Sequence, residues 1–225
     1  MPVRRITMLL VVCALVAPAA ARADDPAPAT GGTAAPAPDP GLSATAHVLV
    51  GKVAVFRGSL PGDAGRTVTI ERLDRETAAW LPIATAQIGD DGAYLARWRA
   101  DVAGRMTTRA TVARAPEAGA SLALAAPVET TVTVYRSALA TWYGPGFYGR
   151  TTACGLRMTR TLMGVAHRKL PCGTQVALTY KGKAITVPVV DRGPFKPGRR
   201  WDLTSAAADA LGFAYMDRLG AVPLD

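Results

Sequence analysis

Asp191 and Asp202 lie eleven residues apart and bracket a Pro/Gly-rich, basic stretch, Arg192-Gly-Pro-Phe-Lys-Pro-Gly-Arg-Arg200. Asp191 closes an apolar run, and Asp202 precedes a capped helical segment. A loop of this composition can fold back and bring both carboxylates to one mouth. A carboxyl beside apolar walls keeps its proton to higher pH and can serve as a general acid. Two carboxylates also suit glycosidic chemistry. The plainer reading is that Asp191 stabilises its own turn and Asp202 caps locally. His167, in Gly164-Val-Ala-His-Arg-Lys-Leu-Pro-Cys-Gly-Thr174, is the one histidine of this part of the chain. It is as suited to holding a backbone group through a ring nitrogen as to catalysis. A third segment, Ala140-Thr-Trp-Tyr-Gly-Pro-Gly-Phe-Tyr-Gly149, sets four aromatics among glycines. Tyr143 and Tyr148 on such a loop make a platform for sugar faces, and Arg192 is a further candidate for binding substrate. The competing reading is a hydrophobic plug, with Trp142 divided between core and surface.

Three cysteines occur. Cys13 lies inside the apolar run Ile6 to Ala17, which follows Arg4 and Arg5 and precedes Ala21-Arg22-Ala23. Charged start, short apolar run and A-x-A site predict a signal peptide over residues 1–23. The run is shorter than the roughly 20 apolar residues of a membrane span. Val12 before Cys13 is not the small residue that lipidation requires. Export leaves Cys154 and Cys172, an even pair that favours a disulfide over buried thiols or a metal pair. No metal or other cofactor is expected, because His47 is remote in sequence and only His167 lies near the cysteines.

The elements that must position these groups are short strands. Residues 24–45 are rich in Ala, Pro, Gly and Thr, with almost nothing to bury, and read as a disordered linker. Residues 46–136 carry β-type runs (47–56, 67–70, 80–84, 93–98, 107–112 and 128–135) separated by turn signals such as Pro61-Gly62-Asp63 and Gly89-Asp-Asp-Gly92. That rhythm predicts an antiparallel sandwich of immunoglobulin-like kind. It contains no acid, base or nucleophile cluster, so spacing or binding is its expected role. Residues 113–127 read as a loop.

In residues 137–225, runs 174–180 and 184–190 flank the tight connection Lys181-Gly182-Lys183, and Pro188 marks an edge or bulge. One helix is expected over 206–211, capped by Thr204 or Ser205 and stopped by Gly212. The charge is uneven. This part holds twelve basic and five acidic residues, net +7, against −1 for residues 24–136. Such a field suits an anionic partner. Nucleic acid is the usual partner of such a field, but an exported chain rarely meets it, and anionic wall polymer is the better candidate.

Four stretches taken together, Ala140-Thr-Trp-Tyr-Gly…Gly149-Arg-Thr-Thr-Ala-Cys-Gly155, Ala166-His-Arg-Lys-Leu-Pro-Cys-Gly-Thr174, Asp191-Arg-Gly-Pro194 and Asp202-Leu-Thr204, resemble the rare-lipoprotein-A double-psi β-barrel family, in its disulfide-bearing exported subset. The resemblance covers residues 137–212 in order. It implies an all-β fold with a six-stranded double-psi barrel, related to expansins and family-45 endoglucanases, behind the immunoglobulin-like sandwich. It implies a secreted, wall-associated monomer acting on peptidoglycan glycan by lytic-transglycosylase-like cleavage. By the same resemblance Asp202 matches the essential acid, Asp191 lines the groove, and His167 lies near the cleft. One position departs. Enzymatic members carry Asn-Gly-Glu where this chain has Cys154-Gly155-Leu156, which admits a non-catalytic, expansin-like loosening module. A third reading is a protein-binding, protease-inhibitor-like barrel.

Overall fold

The computed structural model describes residues 41–113 and 128–224. The expected signal peptide, most of the expected linker and nearly all of the 113–127 loop lie outside them. Seven strands occupy the first part: β1 (Ser43–Ala44), β2 (His47–Leu49), β3 (Val53–Ser59), β4 (Thr67–Leu73), β5 (Trp80–Gln87), β6 (Ala93–Arg99) and β7 (Gly104–Val112). A long β8 (Glu129–Tyr143) follows, then β9 (Val165–Ala166), β10 (Gln175–Tyr180), β11 (Lys183–Asp191), β12 (Trp201–Thr204), helix α1 (Ser205–Leu211) and β13 (Met216–Leu224).

The first strands alternate buried and exposed residues, as a half-buried pleat requires. In β3, Ala54, Phe56 and Gly58 point inward while Val53 and Arg57 face out. Strands β1, β3 and β6 form one sheet, and β5, β4, β7 and β8 form part of a second. Phe56, Val68, Ile70, Ala96, Trp98, Val132 and Val134 meet in a common core. The single run expected over 47–56 is two strands, because Gly51 turns at φ 82° and the chain reverses between β2 and β3. The expected linker also ends sooner than residue 45. Ser43 and Ala44 pair with Arg57 and Phe56, and Leu42 is buried.

The second sheet continues through β8 into the C-terminal strands. Residues Arg136–Thr141 of β8 pair with β13, while residues 129–134 pair with β7. A boundary at 136/137 therefore falls inside one unbroken strand. From β8 the pairing runs to β13, β10, β11, β9 and β12, and β12 returns to β8, closing a barrel. Its interior holds Val165, Val176, Leu178, Val187, Val189, Trp201 and Leu203, with α1 contributing Ala207, Ala208 and Leu211. Thr204 caps α1, its hydroxyl accepting from the Ala207 amide, and Gly212 ends it at φ 67°. Pro188 sits just before the register shift between Val189 and Asp191 where β11 meets β9. That shift is what brings the end of β11 beside β9 and the loops around it.

Candidate active site

Asp191 on β11 and Asp202 on β12 both pair with Ala166 of β9. Asp202 pairs onward with Thr141 of β8, and Thr141 with Met216 of β13. Paired residues share a face of a sheet, so Asp191, Ala166, Asp202, Thr141 and Met216 form one row across the outside of the barrel. Two strand spacings separate the aspartate backbones, about 10 Å at roughly 4.8 Å per strand. The middle position is a buried alanine, so no bulky side chain stands between the carboxylates.

Asp202 is half-buried, and Thr141 Oγ1 donates to its Oδ1 at 2.8 Å. Burial pushes its carboxyl above the ordinary aspartate range. Thr141 and Arg199 oppose the shift, and Asp191 adds to it. The environment thus favours a proton on Asp202, the state a general acid needs. Thr141 lies inside the Ala140-Thr-Trp-Tyr-Gly stretch, where nothing in the sequence marks it as this partner.

Asp191 is held differently. Its Oδ1 accepts the backbone amides of Ala153 and Arg192, each at 2.8 Å, and its Oδ2 accepts the Tyr143 hydroxyl at 3.2 Å. Burial raises the Tyr143 phenol far above its ordinary value, and the neighbouring Asp191 raises it further, so Tyr143 is a donor throughout the working range. Two carboxyls in one row are therefore held unlike each other, half-buried Asp202 by one donor and Asp191 by three.

His167 faces the backbone. Its Nδ1 accepts the Leu170 amide at 3.0 Å and the Lys169 amide at 3.3 Å, and its ring packs on Trp201 with centroids 4.5 Å apart. Burial, then Arg200, Arg192 and Arg168, lowers its pKa. Its amide donates to the Asp191 carbonyl at 3.1 Å, so it braces the strand end that carries Asp191. Arg192 reaches back, its guanidinium donating to the His167 carbonyl at 3.5 Å.

The aromatic segment divides. Trp142 packs against the core and donates Nε1–H to the Ala214 carbonyl. Tyr148 donates to Ser205 Oγ at 3.0 Å, under the Arg160 guanidinium. A side chain at Gly144 would collide with both partners, its Cβ falling 2.8 Å from the Tyr148 oxygen and 3.0 Å from Ser205. That close approach accounts for this glycine. Phe147 meets Tyr143 edge-on at 5.8 Å and is exposed. Phe195 and Tyr215, 77% and 78% exposed, are further rings available to a sugar face. They lie outside the aromatic-rich segment, where nothing in the sequence marks them.

Cys154 and Cys172 form a disulfide with Cα atoms 5.7 Å apart. The bond ties the loop that carries the Ala153 amide to the turn before β10. In that loop Thr152 and Leu156 close on each other: the Thr152 amide donates to the Leu156 carbonyl at 2.7 Å, and the Leu156 amide to Thr152 Oγ1 at 3.1 Å. The Leu156 side chain is 44% exposed.

A model of the lytic transglycolase family matches residues 136–225. A probable endolytic peptidoglycan transglycosylase RlpA of Synechocystis sp. is 43% identical over 97 residues, 42% of this chain and 30% of that protein. One from Aquifex aeolicus is 44% identical over 93 residues, 40% of each chain. The chain thus spans well under half the length of these relatives. The solved apo expansin of Clavibacter michiganensis aligns with a TM-score of 0.33 at 27% identity, over 40% of this chain and 50% of that one. Residues 136–225, which hold the closed β-barrel and both aspartates, are thus the part of the chain that matches the lytic transglycolase family and is similar to the rare-lipoprotein-A proteins.

Proposed function

We propose that this protein cleaves the glycan strands of peptidoglycan by a lytic-transglycosylase-type reaction at the Asp191–Asp202 row. The observation that carries the reading is the unlike environment of two carboxyls set on either side of one small residue. Asp202, whose pKa burial raises, gives its proton to the glycosidic oxygen as the C1–O bond breaks. A hydroxyl of the same sugar closes on C1, and its proton passes to the Asp202 carboxylate, restoring the acid without consuming water. The Asp191 carboxylate, oriented by its three donors, stabilises the positive charge that develops at C1. Tyr143 and His167 act through Asp191, one on its carboxylate and one on its backbone. Tyr148, Arg192 and the exposed rings form the sugar-binding surface.

In this reading the ring of β8, β13, β10, β11, β9 and β12 is the six-stranded double-psi barrel. Residues 46–136 are an immunoglobulin-like sandwich that spaces it, and the protein is exported, wall-associated and monomeric. It needs no metal or other cofactor. Among the described residues, no helix is long and apolar enough to cross a membrane. Exposed Leu156, where the family resemblance calls for glutamate, favours a second reading in which the barrel binds and loosens glycan without cutting it. Mass spectrometry of sacculi incubated with the protein separates the two. Anhydro-sugar ends support cleavage, and binding with no new ends supports loosening.

A further inference from the structure

Two residues back along β8 from Thr141, the same outer face opens into a cavity of about 540 Å³. Leu139 is its counterpart of Thr141. Arg218 of β13 pairs with Leu139, and the Arg200 amide donates to the Leu139 carbonyl at 2.9 Å. Arg200 and Arg218 therefore flank Leu139 as Asp202 and Met216 flank Thr141. Arg168, Lys169 and Arg199 complete a lining that contains five cationic side chains and no acidic one.

Two of the guanidiniums are fixed by uncharged partners. Arg168 donates to the carbonyls of Pro194, Lys196 and Arg199 and so holds the loop that forms one wall. Arg218 donates to Ser137 Oγ at 3.1 Å and to its carbonyl at 3.2 Å. Lys169, Arg199 and Arg200 spend no side-chain donor within the described residues, and none of the five is ion-paired there. Cations gathered around a concavity repel one another unless an anion joins them. Arginine forks match a planar carboxylate with two parallel hydrogen bonds.

We propose that this cavity is an anion subsite that takes the carboxylate of an acidic sugar on the strand being cut. The inference rests on the reading that glycan crosses the Asp191–Asp202 row. The spacing supports it: at about 3.3 Å per residue the cavity lies some 7 Å from Asp202 along the strand, within the reach of a single disaccharide. The subsite sets the register of the strand, because it admits the acidic sugar at one position and so decides which glycosidic bond meets Asp202.

The test is calorimetric titration of the full chain in an Asp202→Asn background, which keeps the ligand intact. The probes are a tetrasaccharide alternating N-acetylglucosamine with N-acetylmuramic acid, and the neutral N-acetylglucosamine tetramer. The acidic probe should bind about tenfold more tightly at low salt, a difference typical of a charge-assisted contact. Arg200→Gln, and separately Arg199→Gln, should erase that preference while leaving affinity for the neutral probe and the melting temperature unchanged. Equal binding of the two probes, or a preference that survives both substitutions, overturns the subsite. Poly(glycerol phosphate) competing as well as the acidic tetrasaccharide overturns the choice of a sugar carboxylate. Anhydro-end release by the unsubstituted protein is scored separately. If it is absent while the acidic preference holds, cleavage fails and the subsite stands.

Discussion

Asp191 and Asp202 share one strand partner, Ala166, reached by a parallel pairing from β11 and an antiparallel pairing from β12. Their separation is therefore set by the sheet and not by the loop between them. The loop length in sequence could change without moving either carboxyl, provided both strands keep their register on β9.

Asp202→Asn keeps the shape and removes the proton. Loss of a general acid costs about a hundred- to ten-thousand-fold in rate, so anhydro-end release should fall by that factor while sacculus binding persists. Equal release by both proteins would mean that the barrel is no catalyst.

The pKa of Asp202 is raised, so the active, protonated form is lost as pH rises through that value. Activity should therefore decline towards alkaline pH. Thr141 donates to Asp202 and opposes the shift, so Thr141→Val should move the declining limb to higher pH. A raised carboxylate pKa also makes the folded state less stable as pH rises through it. Asp202→Asn should consequently melt at a higher temperature than the parent at neutral pH, and at nearly the same temperature in acid. Differential scanning calorimetry at two pH values checks this.

Asp191→Ala should strand the part-buried Tyr143 hydroxyl, while the exposed Ala153 amide turns to water. An unsatisfied partly buried donor costs about 1–3 kcal/mol, so lowered stability should accompany lost activity. Tyr143→Phe removes one donor only and should reduce the rate more mildly. A Tyr143→Phe protein as inactive as Asp202→Asn would show that Tyr143 does more than hold Asp191.

The Cys154–Cys172 bond closes a loop of 18 residues, which in the chain-entropy model contributes about 3 kcal/mol. The double Cys→Ser variant should unfold at correspondingly lower denaturant. It should also lose activity before it unfolds, because the Ala153 amide on Asp191 belongs to the released loop. Alkylation of the native protein should label neither cysteine.

Leu156→Glu restores the residue that the family resemblance calls for, at a half-exposed position whose backbone is already tied to Thr152. It should fold normally and release more anhydro ends than the parent. Unchanged release would show that Asp202 and Asp191 suffice without that glutamate.

His167 binds two amides through Nδ1, and its lowered pKa means that protonation opposes the fold. Stability should drop as pH falls through that lowered value, below the ordinary 6.5 of histidine. His167→Ala should cost stability more than it costs rate.

Local chemistry was legible in the sequence. Thr204 or Ser205 at one end and Gly212 at the other marked the one helix of the described residues, because capping depends on neighbours three or four residues away. The runs flanking Lys181-Gly182-Lys183 pair directly, Tyr180 with Lys183, because a tight connection leaves two strands no other register. The two aspartates and the cysteine pair stood out for the same reason: their residue types and near spacing are sequence properties. What the tertiary structure decided was long-range pairing. The end of the linker, the passage of β8 from β7 into the barrel and the common partner Ala166 depend on hydrogen bonds between residues tens of positions apart. No local periodicity encodes those bonds. Thr141 at Asp202, the Ala153 amide at Asp191 and the cationic cavity beside them follow from that pairing, since side chains distant in the chain share an environment only once the barrel has closed.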